Sequence, residues 1–148
     1  GFGAIGPIIC VVSNVGQEKL FYQDILGLEL LADNFFEGKD VERMIGLPPG
    51  AGLDVSIWGR EGEREAQLEL VEYTGVDGDT LFSLATLPNC GLHQVCFETP
   101  DASVIAAKAK SSNNIVIYRG VLHTLAGSGE YWSIYTPAGM RIDVMTSS

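Results

Sequence analysis

The chain has 148 residues, 46% hydrophobic and only 19% charged, which fits one globular domain of ordinary size and excludes a disordered or coiled-coil chain. Nine Lys and Arg, scattered along the chain, stand against nineteen Asp and Glu, for a formal charge of -10, which excludes nucleic acid as the partner. The apolar run Ile8 to Val12 is far too short to span a membrane and no basic segment precedes it, while Cys10, Cys90 and Cys96 are odd in number and lack CxxC spacing, so a reduced, cytoplasmic setting is expected.

In chain order, Pro7 to Val12 reads as a buried strand, and Ser13 and Asn14 cap a helix over Val15 to Leu26 that Gly27 ends. Leu28 to Leu31 resumes as a strand. Asp33 to Gly52, with Gly38, Pro48, Pro49, Gly50 and Gly52, reads as an excursion from regular strands with one helical turn over Val41 to Ile45, a segment placed to serve as a lid. Leu53 to Gly59 and Ala66 to Tyr73 alternate as the two arms of a hairpin around the charged Arg60 to Glu65, and Gly75 to Pro88 reads as a linker.

The same order then recurs. Leu92 to Thr99 is a predicted strand, Pro100 and Asp101 start a helix over Ala102 to Ser111, and strands follow at Ile115 to Arg119, Tyr131 to Tyr135 and Met140 to Met145, with GVLHTLAGSGE as a flexible segment among them. The chain is therefore α+β, two tandem βαβββ modules at about 1–75 and 89–148. Aligning the first strands pairs Pro7 with Gln94, Ile9 with Cys96, Val11 with Glu98 and Asn14 with Asp101; aligning the last pairs Gln67 with Arg141, Glu69 with Asp143 and Val71 with Met145. Two carboxylates thus fall at equivalent places.

FYQDILGLELL after an opening strand, QLELVEY closing the first half, LHQVCFETPD opening the second and YTPAGMRIDVM at the end together resemble the vicinal oxygen chelate superfamily, over nearly the whole chain. That group includes glyoxalase I, methylmalonyl-CoA epimerase, extradiol dioxygenases and fosfomycin- and bleomycin-resistance proteins. The resemblance implies curled mixed sheets around a cavity, a homodimer, and metal ligands on the first and last strands of each half that point into that cavity, with Glu69 and Asp143 where the family places its acidic ligands. The two histidine positions fall on Pro7 and Gln94, so any divalent metal would rest on Glu69, Gln94 and Asp143, an oxygen-only set suited to Mg, Mn or Ca.

Period-2 alternation turns Leu68, Leu70, Ile142 and Val144 toward the helices and Gln67, Glu69, Val71, Tyr73, Arg141, Asp143 and Met145 toward the cavity. Glu69 and Asp143 are the catalytic candidates, one of them as a general base removing a proton alpha to a carbonyl; the plainer alternative is a pair of cavity carboxylates neutralised by Arg141 or water. Gln94, Glu98, Arg141, Trp58, Tyr73, Tyr131 and His123 are the substrate-binding candidates, with His123 carried over the cavity by loop closure. His93 reads as a structural hydrogen-bonding residue and Cys96 as small packing in the cavity. Two functions stay open: an enzyme of the lyase, isomerase or dioxygenase type acting on a small oxygenated or carbonyl compound with an atypical or absent metal, or a metal-free binding protein, as in bleomycin resistance, that sequesters a cationic or aromatic molecule. A degenerate site in a protein acting only as a dimeric partner is a third.

Overall fold

A computed structural model describes residues 6–63, 67–124 and 127–146. The chain divides into two compact units, Gly1–Thr80 and Leu81–Ser148. Each holds one four-stranded mixed sheet and a helix laid across it. Among the described residues no helix is long and apolar enough to cross a membrane.

In the first unit the β-branched run Ile8–Val11 forms strand β1 and the chain turns at Asn14, whose side chain accepts from Gln17 N at 2.9 Å and so caps helix α1, Val15–Leu20. A second helix-end donor, Val15 N, is satisfied from the sheet by Glu72 Oε2 at 2.7 Å. The helix widens into a π-helical turn, Phe21–Ile25, and Gly27, at φ 69°, lets the chain leave it. Phe21, Tyr22 and Ile25 on this turn are buried.

Strand β2, Glu29–Glu37, helix α2, Lys39–Ile45, strand β3, Gly52–Gly59, and strand β4, Leu68–Thr74, complete the unit in the sheet order β1-β4-β3-β2, with β1 parallel to β4 and the other pairs antiparallel. The excursion expected over Asp33 to Gly52 holds its helical turn, as α2, and is corrected only in its first part, Asp33 to Glu37. Residues Asp33 to Glu37 carry no alternating pattern, yet they continue β2 because β3 offers them a ladder, Asp33 opposite Ser56 through Glu37 opposite Gly52.

The second unit repeats the arrangement with strand β5, Val95–Thr99, helix α3, Ala102–Ser111, and strands β6, Val116–Thr124, β7, Gly127–Tyr135, and β8, Arg141–Thr146, in the order β5-β8-β7-β6. Asp101 caps α3 by accepting from Val104 N at 3.2 Å, and Ala102, Ala106 and Ala109 bring it close against β7 and β8. β6 and β7 extend well into the segment expected to be a flexible loop, pairing His123 with Ser128; residues 125 and 126 lie outside the described residues. β5 begins only at Val95, so His93 and Gln94 precede the strand.

Candidate functional site

Alternation sorts the side chains onto two faces in each unit. Leu68 and Leu70 on β4, and Ile142 and Val144 on β8, are buried on the helix-facing side. Trp58 belongs with them, a correction to its placement beside the cavity. It lies directly opposite Leu68, hence on the same face, is 1% exposed, packs 6.2 Å from the Tyr22 ring and donates from Nε1 to Ser56 Oγ at 2.9 Å. Desolvation, helped by nearby Glu18, lifts the Tyr22 phenol well above its ordinary pKa, as it lifts the Cys10 thiol to about 11.

The other face of the first unit is apolar around a single acid. Glu69 stands between Ile9 on β1 and Ile57 on β3, in the same rows as Val71 and Tyr73. Among the described residues no hydrogen bond or ion pair engages its half-buried carboxylate. Tyr73 is on this face and is partly exposed.

The corresponding face of the second unit is a polar network. Asp143, with Cys96 opposite on β5 and Ser133 opposite on β7, is 0% exposed. Arg141 grips it through both branches of its guanidinium, Nε to Oδ1 at 2.9 Å and Nη2 to Oδ2 at 2.8 Å, and the Tyr131 hydroxyl donates a short hydrogen bond to Oδ2. Tyr131 in turn accepts from Gln94 Nε2 at 3.4 Å and Arg141 Nη2 at 3.5 Å. Burial opposes the charge of Arg141, but the hydrogen bonds and charge of Asp143 outweigh it and hold the guanidinium above its ordinary pKa. Burial first, then the bond to Asp143, raises the Tyr131 phenol, and burial followed by the Asp143 and Glu98 charges raises the Cys96 thiol, which keeps it protonated and a poor nucleophile.

Two residues of this network carry no earlier assignment. Ser133, fully buried, accepts at one Oγ from Arg141 Nε at 3.1 Å and from Arg119 Nε at 2.9 Å. Arg119 is the extra residue of a β-bulge between Tyr118, opposite Trp132, and Gly120, opposite Tyr131. Its signal in the sequence is the glycine that follows it inside a strand, with φ 101°.

The remaining candidates separate from this cluster. Glu98 is exposed on β5, opposite Met145 and on the same face as Cys96. His123 is not carried on a free loop; it is held in the β6–β7 ladder, with Nδ1 2.6 Å from Ser128 Oγ. His93 is bonded locally, Nε2 lying 2.6 Å from the Asn89 carbonyl oxygen.

A divalent metal fits this donor set poorly. Three hydrogen bonds occupy the Asp143 carboxylate, and Gln94 turns its amide nitrogen toward Tyr131. Among the described residues no group of three His, Cys, Asp or Glu side chains is arranged to hold an ion.

No protein-family model and no curated protein matches the chain. Solved structures do. A glyoxalase family protein from Bacillus cereus matches with a TM-score of 0.81 at 15% identity, covering 99% of this chain and 95% of its own. A glyoxalase/bleomycin resistance protein/dioxygenase domain from Frankia gives 0.64 at 11% identity over 100% and 94%, and an antibiotic-binding protein from Streptomyces gives 0.58 at 19% identity over 99% and 98%. The fold is the one that these glyoxalase-like and antibiotic-binding structures share. Identities this low establish the fold alone, and the chemistry rests on the residues above.

Proposed function

We propose that this protein binds a small, oxygen-bearing aromatic or carbonyl compound without the help of a metal ion, at the face of the second unit built on Arg141, Asp143 and Tyr131. The observation that carries this reading is the closed engagement of Asp143. Its carboxylate is spent on fixing Arg141 and Tyr131, so it acts as a positioning group and not as a ligand or a general base. What faces a ligand is a set of donors, Arg141 Nη1 and the Gln94 amide, beside the aromatic Tyr131 and Tyr135, a combination suited to carbonyl or phenolic oxygens on a flat molecule. The Streptomyces neighbour, an antibiotic-binding protein, supports a binding role for this fold.

A second reading is carried by Glu69, an acid without a protein partner among the described residues, on an apolar face. Such a group suits a cationic, partly apolar ligand. The two separate by calorimetric titration in EDTA with matched aromatic carbonyl compounds and aromatic amines. Binding of the carbonyl compounds that Tyr131→Phe weakens and Glu69→Gln leaves alone supports the first; binding of the amines that Glu69→Gln abolishes replaces it with the second. A metal requirement for either, or turnover that EDTA stops, contradicts the metal-free reading. A reducing, cytoplasmic compartment, in keeping with three unpaired cysteines and testable by thiol titration, and a homodimer, carried over from the family resemblance and testable by sedimentation, complete the proposal.

A further inference from the structure

Building on the proposed binding face, we infer that Arg119 and Arg141 form a clamp for an anionic oxygen group, so that the ligand is an aromatic carboxylate. Both guanidinium groups donate through Nε to one buried hydroxyl, Ser133 Oγ, which holds two cations side by side. Asp143 neutralises one of them, through the Nε and Nη2 of Arg141. Arg119 uses Nε alone, and among the described residues no carboxylate lies within ion-pair distance of it. The arrangement therefore carries one unmatched positive charge, with the terminal nitrogens of Arg119 and Nη1 of Arg141 still free to donate.

Its neighbourhood does not cancel that charge. The other acid on this face, Glu98, stands on β5, and β8 and β7 separate it from Arg119 on β6. The Arg119 guanidinium is held at Ser133 on β7, two strand spacings from β5, which is roughly 10 Å and beyond the screening length of about 8 Å at physiological salt. The backbone aims the side chain on purpose: the bulge at Arg119 inserts one residue into β6, and Gly120 takes the left-handed conformation that follows it. A carboxylate accepting from both guanidinium groups removes their mutual repulsion and matches the planar donor fork of arginine. Tyr131 and Tyr135, on the same strand and face at either side of Ser133, supply aromatic surface for the rest of such a ligand.

The test uses the full chain in EDTA with 2-naphthoate and its neutral isostere 2-naphthamide, read by calorimetry and by the arginine Nε–H resonances in NMR. Naphthoate is expected to bind at least roughly tenfold tighter than the amide and to shift the Arg119 and Arg141 resonances. Arg119→Gln should lower naphthoate affinity by about the same factor, weaken amide binding much less, and be partly rescued by Arg119→Lys. Equal affinity for acid and amide, or a silent Arg119→Gln, overturns the anion clamp while leaving small-molecule binding in place. Failure of both compounds to bind, with both resonances unmoved by excess naphthoate and by excess inorganic phosphate, overturns the clamp outright. Dependence of either compound on a divalent ion counts against the metal-free reading instead.

Discussion

Glu69 and Asp143 occupy equivalent places in two copies of one module, and their surroundings make them different groups. Each is the middle residue of a three-strand row, Ile9–Glu69–Ile57 in one sheet and Cys96–Asp143–Ser133 in the other. The Ile57 side chain has no donor or acceptor to offer Glu69, whereas Ser133 anchors two arginines, one of which locks Asp143. A duplicated scaffold thus keeps backbone equivalence while the cross-strand neighbour decides whether an acid is fixed inside a network or left open to solvent and ligand.

The largest expected effect checks that the rows behind these acids are core. Trp58→Ala should cost about 4 kcal/mol in urea unfolding, because it empties a buried site against Tyr22. A small stability loss coupled to lost ligand binding would return Trp58 to the ligand face. Next, Asp143→Ala should cost about 3 kcal/mol by leaving Arg141 and Tyr131 without their shared acceptor, while Glu69→Ala should stay within about 0.5 kcal/mol. Similar losses for both would erase the distinction between the two modules.

Smaller still, Tyr131→Phe should cost about 1.5 kcal/mol, the low end for a hydrogen bond to a charged acceptor, because the ring is partly exposed. It should also change the alkaline limb. A phenol held above its ordinary pKa contributes stability that is complete below about pH 10 and lost as pH rises through the folded value. The variant should therefore lose less stability above pH 10 than the parent, and identical alkaline limbs would show that the Tyr131–Asp143 bond does not hold in solution.

Helix α3 could be read from sequence to the residue, since a capping Asp101 after Pro100 and an alanine-spaced face act locally. The polar, aromatic end of β2 and the glycine-rich β6–β7 arms could not, because their partner strands impose the ladder and their own propensity does not. Alternation placed Glu69, Arg141 and Asp143 on one side of their strands, but the phase of β3 relative to β4 set the face of Trp58, and phase is a tertiary quantity. Arg141 was in view as a neutraliser of the acids. Ser133 was not, since a small residue between aromatics has no signal until two arginines converge on it.

The most direct test of the claim that Asp143 is committed to Arg141 and Tyr131 is a calorimetric titration of the metal-stripped protein with Mg²⁺, Mn²⁺, Ni²⁺ and Zn²⁺, repeated on Asp143→Asn. The expected result is no stoichiometric binding that depends on Asp143. One equivalent of any of these ions bound by the parent and lost in the variant would contradict the account.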